Sequence, residues 1–183
     1  LPICLQGYVA YYDLTRKNVT ETDSSGNFSI QTGEQKTKGY EAELAATLNP
    51  QWKVLASYSY IPTAEVTESL TASEIGKRTN HVAKNAASLS TQYYFSPDQL
   101  GWRVGAAMRY QGARTAQRGT DYVDLPTYVL FDVNAGYEAK DWSAGLSLKN
   151  LFDREYLAGT TPNAQLVNWG DPRMLRFNLS FKY

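Results

Sequence analysis

Few residues in this chain could do covalent chemistry. His81 is the only histidine and Cys4 the only cysteine. A nucleophilic triad needs a base beside its nucleophile, and a protein-held transition metal needs several nitrogen or sulfur donors, so no catalytic residue and no metal ligand is assigned. No Gly-x-Ser-x-Gly elbow is present either. What remains is recognition chemistry. Arg118, Tyr122 and Trp169 lie in long polar stretches, and a cation with aromatic faces suits a bulky, anionic, partly aromatic ligand. A second set of cations, Arg103, Arg109, Lys149, Arg176 and Lys182, falls on the polar side of alternating segments. There they either line a path for an anionic ligand or are simply tolerated by water. Lys plus Arg and Asp plus Glu balance at 18 each, so no electrostatic footprint for nucleic acid is present.

The elements that must position these residues announce themselves by a period of two. Leu175, Phe177, Leu179, Phe181 and Tyr183 oppose Arg176, Asn178, Ser180 and Lys182. Trp142 to Leu148 repeats the pattern on even numbers, and so do Phe131–Glu138, Trp102–Gln111, Ala87–Phe95, Trp52–Tyr60, Ala42–Leu48 and, least cleanly, Leu5–Asn18. That makes about eight strands. Tight turns at Asn49-Pro50-Gln51, Ser96-Pro97-Asp98 and Lys140-Asp141 alternate with long polar stretches at 19–33, 66–80, 115–126 and 158–170. Each tight turn is followed by Trp52, Trp102 or Trp142, as an interfacial girdle requires. Mean hydropathy is −0.45 and no apolar run reaches the roughly 18 residues of a spanning helix. Short turns at one end, long loops at the other and one apolar face per strand predict an all-β, antiparallel transmembrane barrel wall. A soluble barrel with these outward rows would expose an apolar patch far beyond what a monomer tolerates.

Five segments carry a resemblance to a family: YYDLTRKNV from Tyr11, QTGEQKTKGYEAEL from Gln31, LPTYVLFDVNAGYE from Leu125, NLFDREYLAG from Asn150, and the aromatic C-terminus. They resemble the TonB-dependent ferric-siderophore receptors of the Gram-negative outer membrane. The resemblance implies a barrel of about 22 strands around a plug, with residues 1–183 as about eight C-terminal strands and the plug outside them. It implies a ferric siderophore as ligand, the TonB protein as energy-coupling partner, and outer-membrane lipid and the barrel insertion machinery as further partners. Iron would arrive only inside the siderophore, with no resident cofactor. Arg118, Tyr122 and Trp169 become candidate siderophore contacts, and Phe181 and Tyr183 the assembly signal. Asn-Leu-Phe-Asp-x-x-Tyr resembles a barrel strand of the family, and Asp153, Arg154 and Glu155 a solvated strand end. Where the family commonly reads Val-Pro-x-His, this chain has Val82, Ala83, Lys84 and Asn85, which predicts a looser loop. The alternative is a self-contained eight-stranded outer-membrane barrel with a structural or adhesion role. Its interior would be underfilled by Gly105, Ala107, Gly136, Ser143, Gly145 and Ser147.

Overall fold

A computed structural model describes residues 3–22, 26–118, 121–160 and 166–182. Eight antiparallel strands form one sheet in strict chain order: β1 (Cys4–Thr22), β2 (Ser29–Asn49), β3 (Trp52–Glu68), β4 (Asn85–Tyr94), β5 (Gly101–Gln111), β8 (Tyr128–Glu138), β9 (Trp142–Lys149) and β12 (Met174–Phe181). Two hairpins complete the fold, β6 (Arg114–Arg118) with β7 (Asp121–Leu125) and β10 (Leu157–Thr160) with β11 (Val167–Trp169).

The register explains why one face is apolar from edge to edge. Leu175 pairs with Leu148 and Phe177 with Leu146. The same rungs continue through Ala135 and Val104 to Tyr93 and Trp52. At the other edge Leu44 pairs with Ala56 and Val9 with Ala42. Because side chains alternate across a strand, these pairings put every apolar row on one side. Among the described residues nothing covers it: Phe177 is 67% exposed and Leu175 64%. A soluble fold would bury this face, whereas lipid covers it here.

Aromatic rings mark both borders of the apolar band. At the tight-turn end Trp102 meets Tyr137 edge-on at 5.3 Å, Tyr137 stacks with Trp142 at 5.5 Å, and Tyr93 meets Phe95 at 5.4 Å. At the other end Tyr11, Tyr40 and Tyr60 form a row with centroid spacings of 5.0 and 6.4 Å. From Trp52 to Tyr60 on β3, at about 3.4 Å per residue and a tilt near 45°, the Cα levels differ by about 19 Å. With rings extending past both levels, this fits an apolar band of about 25 Å.

The inner face is polar and shallow. Arg103 lies across Gly136: a Cβ there would stand 3.0 Å from the Ala144 carbonyl oxygen and 3.1 Å from the guanidinium, so glycine gives the cation room on the next strand. The small inner residues do not underfill a closed interior, because the sheet stays open. Among the described residues β1 pairs only with β2, and β12 only with β9. The self-contained closed barrel is therefore not the structure adopted.

Two expectations need correction. Within the stretches 19–33, 66–80, 115–126 and 158–170, read from the sequence as long polar loops, many of the described residues form strand. β1, β2 and β3, of 19, 21 and 17 residues, run far past the tyrosine row, and two of the stretches fold back as hairpins. Above the membrane both faces of a strand meet water, so the hydrophobic alternation vanishes while Thr, Val and Tyr still support the ladder. Asn150 to Asp153 is likewise a turn rather than a strand: Asn150 and Asp153 have φ of 49° and 51°, and the Asp153 amide donates to the Asn150 carbonyl at 2.8 Å.

Candidate ligand-binding site at the long-loop end

A sheet with lipid on one face has little core of its own, and the buried side chains, Ala46 aside, gather at the long-loop end instead. Ala64, Ala83, Ala116, Leu125 and Leu130 are buried there, together with Arg114, Asn150 and Thr160. Leu130 and Tyr128 belong to the inner row of β8, opposite Arg109 and Gln111. This packed cap thus forms on the lumen side.

Arg78 organises the segment between β3 and β4. Its Nε donates to the Val82 carbonyl at 2.9 Å and its Nη2 to the Ile61 and Ala83 carbonyls at 2.6 and 3.2 Å. Nη1 adds a bond to the Pro62 carbonyl at 3.3 Å. Burial pushes the guanidinium below its ordinary pKa. The loop predicted to be slack around Val82–Asn85 is instead cinched, with Ala83 buried. A guanidinium offers five donors in a fixed fork, which is enough to do the work of a proline turn.

Tyr122 stands on β7 in a cleft of about 400 Å³ between the upper ends of β1–β3 and the Thr71–Asn80 segment. Lys77 Nζ sits 4.1 Å above its ring. The cleft also holds Glu21, Glu34, Glu68 and Glu74, and Glu21 accepts the Leu70 amide at 2.6 Å. Burial, then Glu74, raises the Tyr122 hydroxyl above its ordinary pKa. Trp169, on β11, is 67% exposed and lines a separate cleft of about 330 Å³ with Asp153, Arg154, Glu155, Gly170 and Pro172. Arg118 ends β6, its backbone paired with Asp121; its side chain lies outside the described part of the structure, as does Tyr183. Tyr122 and Trp169 therefore belong to two neighbouring hairpins and line different clefts.

Of the inner-row cations, Arg109 pairs with Asp132 at 3.2 Å and Lys182 with Glu138 at 2.5 Å. Arg103, Lys149 and Arg176 have no ion-pair partner within 4 Å among the described residues. Asp153 is exposed but lies in the turn after β9 rather than at a strand end, and it pairs with exposed Arg173 at 3.7 Å.

Sequence reasoning passed over the residues that hold the cap together. Arg114 is only 8% exposed; its Nη2 donates to the Ala158 carbonyl at 2.7 Å, and its guanidinium lies 5.5 Å from the Tyr128 ring centre. Tyr128 packs on Tyr156 at 4.4 Å, and burial raises the Tyr156 hydroxyl pKa. The Tyr156 ring lies so tightly on Gly170 that no Cβ fits there. His81 adopts φ of 64°, donates its amide to the Thr115 carbonyl at 2.8 Å and sets its ring Nε2 3.3 Å from Thr160 Oγ1. No signal in the sequence separates Arg114 from any solvated arginine. Among the described residues no cluster of three or more His, Cys, Asp or Glu could hold a metal ion.

An open antiparallel wall with a lipid-facing band, a wet inner face and a folded extracellular cap is a piece of an outer-membrane β-barrel receptor. Residues 5–151 match the family model described as TonB dependent receptor-like, beta-barrel, and the chain belongs to that family. It is 33% identical over 178 residues to the metal-pseudopaline receptor CntO of Pseudomonas aeruginosa (strain UCBPP-PA14), covering 96% of this chain and 25% of that protein. It is 32% identical to the ferrichrome outer membrane transporter/phage receptor of Escherichia coli K12, covering 100% of this chain and 24% of that protein. Among solved structures, the pyoverdine outer membrane receptor FpvA of Pseudomonas aeruginosa PAO1, bound to pyoverdine, superposes with a TM-score of 0.76 at 25% identity, over 98% of this chain and 27% of that one. The chain thus spans about a quarter of the length of the proteins it matches. Proteins of this family are outer-membrane barrels of Gram-negative bacteria.

Proposed function

We propose that this chain forms barrel wall and extracellular cap of a receptor that takes up a ferric siderophore across the outer membrane, driven by TonB. One observation carries the reading: the packed cap stands on the lumen side of a membrane wall, with Tyr122 and Trp169 on its two hairpins. Aromatic faces and cations there suit a large, partly aromatic anionic chelate. The relatives point the same way, their names specifying pseudopaline, ferrichrome and pyoverdine as what those proteins handle. Iron is cargo in this reading, and no group resident in the wall performs chemistry on it. The test is titration of the full-length receptor with ferric hydroxamate, catecholate and mixed-type siderophores, read by quenching of tryptophan fluorescence. Saturable quenching by at least one class is expected; failure with all three, alongside uptake of an iron-free solute, overturns the reading.

Phe181 and Tyr183 act in assembly, not in binding. Phe181 pairs with Trp142 in the girdle, far from the cap. Deleting Tyr183 from the full-length receptor is expected to lower the folded protein in the membrane several-fold while the surviving molecules keep wild-type ligand affinity. Normal abundance with reduced affinity would show the assignment to be wrong.

A further inference from the structure

The three candidate ligand contacts sit on two hairpins that share no backbone ladder. Arg118 and Tyr122 belong to β6–β7, and Trp169 to β10–β11. Their relative position decides whether one ligand can touch both, so whatever joins the hairpins sets the shape of the mouth. Two short hairpins, of five-residue and of three- to four-residue strands, have too little ladder to hold an orientation unaided.

We propose that Arg114 is the positioning residue that locks the two hairpins into one body and so fixes Tyr122 relative to Trp169. This rests on the ligand-receptor reading given above. Arg114 begins β6, yet its guanidinium leaves its own hairpin and donates from Nη2 to the carbonyls of Ala158 at 2.7 Å and Leu157 at 3.4 Å, both on β10. The same plane rests over Tyr128, whose ring is in turn packed by Tyr156, the residue that leads into β10. A buried guanidinium is costly unless its donors are used, and these bonds are charge-assisted. Among the described residues Nη1 is buried with no acceptor, and the Nη2 bonds and the ring contact hold the group there. His81 supplies a weaker second tie, donating its amide to β6 at Thr115 and placing its ring against Thr160 of β10. Its geometry is the looser of the two, at 3.3 Å and on an exposed side chain.

The joint also accounts for burial that a mere loop would not need. Ala116 and Leu125 are fully buried on β6 and β7, and Gly159 and Thr160 are buried on β10. Two hairpins moving separately would expose these residues each time they parted. Held by Arg114, they keep them covered and carry Tyr122 and Trp169 as a rigid pair.

The experiment uses the full-length receptor in lipid nanodiscs, with Cys4→Ser and spin labels on Asp124→Cys of β7 and Asn168→Cys of β11, both exposed positions. A single narrow distance distribution is expected for the otherwise wild-type protein. Arg114→Met keeps the stem and removes the donors; it is expected to broaden the distribution and to speed amide exchange in β10–β11 at least about tenfold, with β4, β5 and β8 unchanged. Arg114→Lys, which restores one charged donor, is expected to recover most of the narrowing. Should Arg114→Met not fold, Arg114→Lys carries the test through a smaller broadening. An unchanged distribution in Arg114→Met overturns the proposal, as does, where only Arg114→Lys folds, a Lys distribution no broader than that of the wild type, and so does exchange that rises equally in the hairpins and the sheet. Absence of ferric-siderophore binding by the wild type would undo the ligand reading and leave the distance result standing.

Discussion

Phe177→Arg is expected to reduce folded receptor in the outer membrane by an order of magnitude or more, whereas Asn178→Arg, one residue on, leaves it near the wild-type level. Phe177 pairs with Leu146 in the apolar rungs, two rungs inward from the girdle pair Phe181 and Trp142. Four residues at about 3.4 Å and a tilt near 45° place it about 10 Å above that border, close to the bilayer midplane. An arginine there costs about 2 to 4 kcal/mol, which is a factor of about 30 to about 900 in an equilibrium. Asn178 pairs with Gly145 on the opposite face, beside the wet inner row that already holds Arg176. A charge added there changes stability by about 0.5 kcal/mol or less. Membrane abundance, checked by heat-modifiable gel mobility and urea titration of the purified receptor, reads both variants. Equal losses would mean that the two faces are not chemically distinct, and the membrane assignment of the rungs would fall.

That contrast was legible in the sequence because lipid enforces it. On every rung between the girdles a side chain meets either hydrocarbon or water, so Phe177 and Asn178 had to alternate, and Trp52, Trp102 and Trp142 had to recur after each tight turn. Where lipid stops, so does the code. Thr20 and Thr22 lie on β1, and Thr115 and Val123 on the hairpins, beyond the reach of lipid, so the strict apolar–polar alternation is lost and their strands read as loops. The first strand was blurred for a related reason: Tyr8 and Tyr12 share the inner face with Gln6, as their pairing with Glu43 and Gly39 shows. The candidate site was legible only by residue type. Tyr122 and Trp169 could be named because exposed rings in polar stretches are unusual, but their placement depends on Arg114, Arg78 and Asn150, whose partners are backbone carbonyls remote in sequence. A backbone carbonyl carries no residue identity, so no pattern of letters marks such a bond.

Asn150→Ala is the sharper test of that hidden layer, with an expected local destabilisation of about 2 to 4 kcal/mol. Asn150 is 3% exposed and follows the last residue of β9. Its side-chain amide donates to the Arg154 carbonyl at 2.9 Å and the Asp171 carbonyl at 3.1 Å, while its Oδ1 accepts the Arg154 amide at 2.9 Å. Its own backbone N–H donates to Asp132 Oδ1 at 2.9 Å, tying the turn to the inner row of β8. Alanine removes all three side-chain bonds, and the segment entering β10 then keeps its ties to the segment leaving β11 from the Gly170 amide to the Tyr156 carbonyl at 2.8 Å and from the Arg173 amide to Asp153 Oδ1 at 2.8 Å, beside the Arg173–Asp153 ion pair. It also forces a Cβ-bearing residue without a polar side chain to keep φ of 49°, a conformation that asparagine tolerates and alanine resists by about 1 kcal/mol. Asn150→Gly loses the same bonds but not the conformational penalty, so it is expected to be milder than alanine by about that amount. Because a barrel unfolds neither quickly nor as two states, the effect is read locally, as amide exchange of Leu157–Thr160 and Val167–Trp169 accelerated by about 30-fold or more. Tyr156 should follow, since its packing on Tyr128 depends on where the turn delivers it. If the alanine variant exchanges like wild type in β10–β11, the turn is held by the Tyr128–Tyr156 contact and Arg114 rather than by Asn150. The converse, fast exchange with the Arg114 bonds intact, would place Asn150 upstream of the joint in the order in which the cap assembles.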